Sequence, residues 1–582
     1  MIFSNIHKDL KIERKDCFYL FILLIYSIII SCLLIRFNET IGIYCSDVYI
    51  YLYNSLVFAR MASNTNFLYL SPFICFLTSI LFRLGHISEL SIYIVTGIFS
   101  IFASLGIYLL LRGYFSSLLS LTGGVLFTSF SLNLLWCANG TLDIPAVGLS
   151  IWAILFLILA VDENPRYYLL AFPLLVLGIF TRYTCLFLVP LFLLFYLSKH
   201  DFFYFLDSLF FDRKESFLNV KSFLKSGEFK YGVVGLVLAL ILVLIFNFLI
   251  LHFGGHFSFL KQGLNIASGS KGAVVDNAYT TDALFYLHDF LNFLFAQKVF
   301  IDEKFIPHLI GASFVSYLVL FLLIFGIGII VYKLFNGFNG NSLDLSEGIP
   351  YKTKHFKNLL ILLLIISSII AILGYKINSL ITITFLLVDF VVIFSLLKNN
   401  GVDRKAYSAP IFMAGWFLVY FIFFTFLNIK VDRYIITVFP AFIYFVVLAL
   451  DEILELLNEK SFRICNFNLS YLIPIILIII CLFSAFTFTS TFEQDLDFNN
   501  YKVVADYLID YDGDYASKDI ASFKQRPFNW WLKDYTIPLT VNQTDYLESS
   551  NITYYICDED LSLENYTKIY NYKDIFLYER IK

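Results

Sequence analysis

The chain has 582 residues, of which 59% are hydrophobic and 15% are charged, and its formal net charge at pH 7 is -4. Soluble domains carry about 25% charged residues, so this composition excludes a soluble globular protein, and no basic patch suits a nucleic-acid partner. Apolar runs of about 20 residues recur throughout, and only helices satisfy their own backbone in lipid. The sequence therefore predicts a polytopic α-helical membrane protein.

The first predicted element is an apolar helix at residues 17–36, preceded by a basic and polar stretch. This run is longer than the core of a signal peptide, and no small-residue cleavage site follows it. We expect an uncleaved first anchor whose N-terminus is cytoplasmic.

Asp47 follows this anchor in the segment SDVYIYLYNSLVFA, where Tyr49 and Tyr53 recur at roughly helical spacing. This single acid among aromatics lies where the first helix is expected to leave the membrane. A solvated helix end and a functional carboxylate are therefore both open for Asp47 on this segment alone.

Residues 67–85, FLYLSPFICFLTSILFRLG, are apolar but contain Pro72 and Arg83. Counting them as a membrane span would move every later basic loop to the outer side, against the positive-inside rule. We expect instead a helix in the outer interface, with Tyr69 and Phe73 at the level of the lipid headgroups.

The remaining apolar runs bring the predicted number of spans to about thirteen. The predicted spans after the first are 89–111, 116–136, 143–161, 166–181, 183–198, 231–252, 306–332, 357–375, 379–397, 409–428, 434–451 and 469–490. With the N-terminus inside, the long basic loops all fall on the cytoplasmic side, which supports this alternation.

Polar residues recur at the predicted outer ends of these spans. Asp143 opens the fourth span, Arg182 and Tyr183 lie between two short spans, and Asp432 and Arg433 open the twelfth. Each has an ordinary alternative as a helix cap or a side chain that snorkels toward the interface. The sequence suggests nothing comparable at the inner face, and this favours a shared site outside.

From about residue 491 the chain becomes polar, and short alternating runs such as NITYYICDED predict strands. We expect two domains, a transmembrane domain at 1–490 and a small extracytoplasmic α/β domain at 491–582. In the second, Trp530 and Trp531 are read as core aromatics or as a platform for stacking a sugar.

The order of these segments resembles the membrane glycosyltransferases of superfamily C. The segments that carry the resemblance are SDVYIYLYNSLVFA, YLSPFICFLTSILFRLG, NGTLDIPA, GIFTRYTCLFLVPLFLLFYL and DRYIITVFPAFIYFVVLA. They are most similar to the dolichyl-phosphate-sugar-dependent relatives of protein O-mannosyltransferases and to bacterial aminoarabinose transferases.

The resemblance implies a role for four of the polar residues. It makes Asp47 the catalytic base and Asp143 a second acid or a group that positions the acceptor. It assigns Arg182 and Arg433 to the phosphate of the lipid donor, and guanidinium forks suit phosphate oxygens. The family often has paired acids at the first site, whereas Val48 follows Asp47 here.

The expected activity is transfer of a sugar from a polyprenyl-phosphate donor of the dolichyl-phosphate type to an acceptor hydroxyl at the outer face, with inversion. The expected partners are this lipid-linked sugar, membrane lipids, and a glycan, lipid or protein acceptor. The aromatic candidates for sugar or lipid contacts are Tyr49, Tyr53, Tyr183, Tyr434, Trp530 and Trp531.

No cofactor is expected, and a divalent metal is open but not indicated. His252 and His256 have a zinc-like spacing, but Gly254 and Gly255 interrupt the helix between them. A transporter or flippase of lipid-linked glycans is the alternative function, favoured by Asp389 deep in a span. A non-catalytic relative of the transferases is the third reading.

Overall fold

A computed structural model describes residues 9–10, 12–63, 68, 70–199, 221–256, 282, 284–301, 307–338, 354–400, 402–427, 430–459, 463–464, 467–492 and 500–581. Helices dominate the first five-sixths of the chain. The helices up to the first strand are α1 Arg14–Ile41, α2 Ser46–Ala59, α3 Pro72–Arg83, α4 Glu89–Arg112, α5 Ser117–Ser129, α6 Ser131–Trp136, α7 Asp143–Asp162, α8 Tyr168–Thr181, α9 Leu188–Lys199, α10 Gly227–His252, α11 Phe285–His288 and α12 Phe290–Phe295.

A short antiparallel hairpin, β1 Ala296–Ile301 and β2 Pro307–Ala312, separates these helices from a second helical series. The second series contains α13 Phe314–Phe338, α14 Lys354–Gly374, α15 Ser379–Asn399, α16 Arg404–Phe426, α17 Phe439–Glu459 and α18 Leu469–Thr489. The two-residue strands β3 Arg463–Ile464 and β4 Phe467–Asn468 lie between the last two helices. A 3-10 helix, Asp432–Val438, leads directly into α17.

Ten helices within the described residues are long and apolar enough to cross a membrane, as expected for an integral membrane protein. The predicted spans 116–136, 166–181 and 183–198 instead fall on shorter apolar helices. The count of thirteen therefore stays a prediction. Within the segment 67–85, Pro72–Arg83 form a short apolar helix, α3, and Tyr69 lies outside the described residues. The place of α3 in the outer interface stays a prediction.

Two predicted spans differ from the observed elements. The span expected at 306–332 begins only at Phe314, because Pro307–Ala312 pairs with Ala296–Ile301 as a strand. The span expected at 116–136 breaks at Phe130, whose backbone is extended. The Asn133 side chain donates a hydrogen bond to the Phe127 carbonyl there, 2.5 Å away. Such polar contacts satisfy the backbone groups that the break releases.

Helix α7 lies in the middle of the bundle, and 94% of its apolar stretch is buried inside the protein. A helix that is apolar on every face is stable only where protein or lipid surrounds it. Asp143 is its first residue and Asp162 its last. The two acids therefore mark opposite ends of the bundle, and the end that holds Asp143 is called the site end below.

The C-terminal unit, residues 500–581, contains a five-stranded sheet with strand order β6-β5-β7-β9-β8. Strand β5 pairs in parallel with β6 and β7, whereas β9 pairs antiparallel with β7 and β8. Its elements are α19 Asn500–Tyr511, β5 Ile520–Ser522, α20 Gln525–Leu532, β6 Ile537–Pro538, α21 Thr544–Ser549, β7 Tyr554–Cys557, β8 Tyr566–Tyr572 and β9 Ile575–Arg580. Helix α20 packs against both α19 and α2, and so connects this unit to the bundle.

Candidate functional site

Asp47 lies in the first turn of α2, where the chain re-enters the protein after α1. Every residue of α2 from Val48 to Ala59 is buried, which fixes the position of the turn that carries the carboxylate. Gly140 allows a loop to approach this turn closely. Its φ is 86°, and a Cβ atom there would lie 2.7 Å from Val48 Cγ1. This close approach brings the start of α7 beside the start of α2.

Arg433 joins the two acids. Its Nη2 donates a 2.6 Å hydrogen bond to Asp47 Oδ2, and its Nε lies 3.8 Å from Asp143 Oδ2. Its Nη1 also donates to Cys45 Sγ over 3.1 Å. The guanidinium carbon lies 5.5 Å from the centroid of the Trp136 ring. Arg433 is therefore held on several sides, and only 11% of its side chain is exposed.

Arg182 contacts Asp143, one of the two acids that Arg433 joins. Its guanidinium is in direct contact with the Asp143 carboxylate, and its guanidinium carbon lies 4.6 Å from the centroid of the Tyr434 ring. Arg182 lies between the end of α8 at Thr181 and the start of a 3-10 helix at Tyr183, and its backbone is extended. This sharp turn directs a charged side chain back toward the start of α7.

Asp432 stabilises the loop that presents Arg433. Its Oδ1 accepts a 2.7 Å hydrogen bond from the Arg433 backbone N–H, and its Oδ2 accepts one of 3.0 Å from Trp136 Nε1. Asp432 is the first residue of this 3-10 helix, where an acid is favoured by the helix dipole, and its bond to Trp136 ties the start of the helix to α6. Asp432 was a candidate from the sequence as the start of the twelfth span, but its bond to Trp136 was not predicted.

Arg526 is a member of the cluster that sequence reasoning missed. It comes from α20 in the C-terminal unit, and its Nη1 donates to Asp47 Oδ1 over 3.1 Å and to Ser46 Oγ over 3.2 Å. The only available signal was a basic residue four positions before Trp530, and such residues are common on exposed helices. The cluster therefore combines three guanidinium groups, Arg182, Arg433 and Arg526, with the acids Asp47 and Asp143.

The Asp47 carboxyl is charged under ordinary conditions. Burial alone would raise its pKa, but the Arg433 guanidinium, with smaller contributions from Arg526 and Arg182, lowers that pKa below its ordinary value. About a third of the Asp47 side chain is exposed, at 32%. A charged, accessible carboxylate beside fixed cations can accept a proton from an approaching hydroxyl.

Charged side chains also pair at the opposite end of the bundle. At the opposite end, Arg112 Nε lies 2.9 Å from Asp16 Oδ1, and Arg404 contacts Asp162. Arg112 also lies 3.7 Å from Glu13 Oε1, and Asp16 is fully buried. The site end differs because three cations share two acids and because Asp47 reaches solvent.

The aromatic candidates divide into two groups. Tyr49, Tyr53 and Trp530 are 3%, 2% and 0% exposed, so their rings cannot contact a sugar or lipid in this arrangement. Trp530 stacks on Phe82 with ring centroids 5.8 Å apart, which makes it a packing residue. The partly exposed candidates are Tyr183, Tyr434 and Trp531.

The histidine pair gives no sign of a metal site. His252 ends α10, and its Nε2 lies 3.5 Å from Arg60 Nη2. Within the described ranges, no three His, Cys, Asp or Glu side chains come close enough together to hold a metal ion. The absence of a cofactor stays a prediction from the sequence.

Comparison with known proteins supports the resemblance that the sequence suggested. The sequence profile of the family described as dolichyl-phosphate-mannose-protein mannosyltransferase matches residues 70–206. No curated protein matches the chain.

Solved structures extend the similarity to the whole fold. ArnT from Cupriavidus metallidurans bound to undecaprenyl phosphate matches with a TM-score of 0.55 and 10% identity, over 96% of this chain and 97% of that one. The apo state of the same protein matches with a TM-score of 0.51 and 10% identity, over 95% and 97%. The chain thus resembles the superfamily C membrane glycosyltransferases and has their fold.

Proposed function

We propose that the protein transfers a sugar from a polyprenyl-phosphate donor of the dolichyl-phosphate type to an acceptor hydroxyl at the outer membrane face, with inversion. The observation that carries this proposal is the contact between the Asp47 carboxylate and the Arg433 guanidinium, with Arg182 behind them. A proton acceptor and an anion-binding group lie side by side, and the proposed transfer requires both.

Arg433 and Arg182 are the proposed ligands of the donor phosphate. A guanidinium offers paired donors that match phosphate oxygens, and it stabilises charge as that charge develops on a leaving group. Arg433 already lies between two carboxylates and so binds anions in this position. A donor phosphate would take the place of one of these carboxylates at the guanidinium. The ArnT structure of similar fold contains undecaprenyl phosphate, a lipid phosphate of the same chemical class.

The proposed reaction is a single displacement. The acceptor hydroxyl oxygen forms a bond to the anomeric carbon while Asp47 takes the hydroxyl proton. The bond between the anomeric carbon and the phosphate oxygen breaks, and its electron pair leaves with the lipid phosphate, whose charge Arg433 and Arg182 receive. One attack from the face opposite the leaving group inverts the anomeric carbon.

The transporter alternative relied on Asp389 in the interior of α15. The Ser367 hydroxyl donates to Asp389 Oδ1, and the Ser368 hydroxyl donates to Oδ2 over 3.0 Å. Both serines belong to α14, so these bonds join two neighbouring helices. Hydrogen bonds of this kind commonly hold transmembrane helices together. Asp389 is therefore better explained as an interhelical contact than as part of a transport path.

The test uses purified protein in lipid nanodiscs, supplied with radiolabelled polyprenyl-phosphate sugars and separate glycan, lipid and protein acceptors. A transferase releases polyprenyl phosphate and places the label on one acceptor class, and Asp47→Asn abolishes both signals. In sealed vesicles a flippase would move the labelled donor across the bilayer with no release of polyprenyl phosphate. A non-catalytic relative would do neither.

A further inference from the structure

The Asp47 carboxylate is held by two cations from distant parts of the chain. Arg433 Nη2 donates to Oδ2 over 2.6 Å, and Arg526 Nη1 donates to Oδ1 over 3.1 Å. The Arg433 side chain is 11% exposed, whereas that of Arg526 is 40% exposed. Arg526 therefore lies on the open side of the carboxylate, and Arg433 lies on the closed side.

Arg526 is placed there by a firm attachment between α20 and the bundle. Residues 526 and 530 are one helical turn apart and share a face of α20. Trp530 is fully buried and stacks on Phe82 with an interplanar angle of 24°. Its Nε1 donates a 2.5 Å hydrogen bond to Glu89 Oε1 at the start of α4. The burial of an indole ring is among the largest contributions one side chain can make to such a contact.

We propose that Arg526 is a positioning residue for the reaction, which orients the Asp47 carboxylate and keeps it charged, and that the contact of Trp530 with Phe82 and Glu89 delivers it. This inference rests on the proposed role of Asp47 as the base. It assigns the C-terminal unit a direct part in the site, in addition to any part it takes in binding an acceptor.

The mechanism of this effect is electrostatic and geometric. Hydrogen bonds to both oxygens fix the plane of the carboxylate, and each nearby cation favours its charged form. Arg526 lowers the pKa of Asp47, after the opposing effect of burial and the larger effect of Arg433. Among the described residues, the charged or titratable groups around Asp47 are Arg433, Arg526, Arg182, Cys45 and Tyr51, and Arg433 also contacts Asp143.

The test measures protonation of Asp47 without donor or acceptor. The full-length protein in nanodiscs is treated with a carbodiimide and glycine ethyl ester at a series of pH values, and coupling at Asp47 is quantified by mass spectrometry of its peptide. Carbodiimide reacts with the protonated carboxyl. In Arg526→Gln the coupling rate at a fixed pH above the midpoint should rise roughly three- to tenfold, because a cation at this distance favours the carboxylate.

The pH series distinguishes a change in the charge of Asp47 from a change in its accessibility to the reagent. A variant that only opens the site raises the coupling rate by the same factor at every pH. Loss of a cation instead raises the midpoint, which is the pH at which the coupling rate is half of its maximum. Arg526→Lys should keep the midpoint near that of the wild type. Lys524→Gln is the matched control, because it removes an exposed cation two residues away with no contact to Asp47.

The attachment of α20 is tested separately with Trp530→Phe, which keeps a ring and removes the donor to Glu89. A midpoint that moves in the same direction as in Arg526→Gln, by a smaller amount, supports delivery of Arg526 by this contact. An unchanged midpoint in Arg526→Gln overturns the proposal, and so does an equal movement in Lys524→Gln. Since the assay contains no substrate, a failure of sugar transfer is recorded independently in the radiolabel experiment.

Discussion

Asp47 is the residue on which the proposed chemistry depends. Asp47→Asn keeps the size and shape of the side chain but removes the proton acceptor. Turnover should fall roughly 100-fold or more, the scale of a lost general base. Binding of polyprenyl phosphate should persist, because the base contacts the acceptor hydroxyl. The measurement is radiolabel transfer per mole of folded protein.

Lys524→Gln serves as the control for that variant, and Asp143→Asn does not. Asp143 is buried between Arg182 and Arg433, so neutralising it leaves buried cations with less compensation. Removal of one partner from a buried ion pair lowers the free energy of unfolding by about 3–5 kcal/mol. Asp143→Asn would therefore destabilise the protein even if Asp143 has no role in the reaction. Wild-type turnover in Asp47→Asn would show that Asp47 is only the charged end of a helix.

Arg433 gives a second prediction at the same scale. Arg433→Lys keeps a positive charge but loses the planar fork that contacts Asp47, Asp143 and Cys45. Affinity for polyprenyl phosphate should fall roughly tenfold, since Lys does not reproduce bidentate binding. Equilibrium binding of radiolabelled polyprenyl phosphate measures the change.

The matched control for Arg433→Lys is Arg60→Lys, at an exposed arginine beside His252 and away from the cluster. Its affinity should equal that of the wild type. If Arg433→Lys and Arg433→Ala both bind the lipid as tightly as the wild type, Arg433 does not hold the donor phosphate.

Four residues of the cluster could be predicted from the sequence because each lies at the end of an apolar run. Asp47, Asp143, Arg182 and Arg433 are conspicuous where polar residues are rare. Arg526 could not be predicted in this way, because it lies in a polar segment where basic residues are ordinary. Its contact with Asp47 depends on the docking of α20 on the bundle.

At the scale of elements, the close approach of α13 and α17 supports the loop that carries Arg433. Gly326 of α13 faces the backbone of α17, and a Cβ atom there would overlap the Phe445 carbonyl oxygen. Small residues allow transmembrane helices to approach this closely. Gly326→Ala should destabilise the protein by about 1–3 kcal/mol, the usual cost of overpacking.

Gly328 provides the comparison for this prediction, because a Cβ atom there meets nothing within 4 Å. Gly328→Ala carries the same change of helix propensity without the steric overlap. Thermal unfolding in detergent should therefore give a lower midpoint for Gly326→Ala alone. Equal midpoints for the two variants would mean that α13 and α17 are not in contact at this point.

Secondary structure was less predictable than the position of the apolar runs. Hydropathy does not distinguish a continuous helix from α5 and α6, since the run at 116–136 is apolar on both sides of Phe130. At the break the Asn133 side chain donates to the Phe127 carbonyl, a contact that a hydropathy pattern does not reveal. The strand at Pro307–Ala312 likewise depends on pairing with a second strand, and the hydropathy of one segment carries no information about such pairing.

At the scale of the whole molecule, the orientation in the membrane is a prediction from the basic loops. Single cysteines are introduced near Ser517 and near Lys221 in a cysteine-free background, and both positions are exposed. A membrane-impermeant maleimide applied to intact cells should label the first and leave the second unlabelled, because the C-terminal unit is expected outside. The reverse pattern would place the whole cluster on the cytoplasmic side.

The contact between Asp47 and its two arginines has a consequence for biosynthesis. Arg433 is made 386 residues after Asp47, and Arg526 is made 479 residues after it. Throughout that interval the nascent chain holds the carboxylate without either of these two cations. The contact of Asp47 with Arg433 can therefore form only after the 3-10 helix before α17 has been made, and Asp47 gains Arg526 when the C-terminal unit packs against the bundle. Activity would then report completed synthesis and folding of the chain, because a chain halted before α20 would hold the helices and lack Arg526.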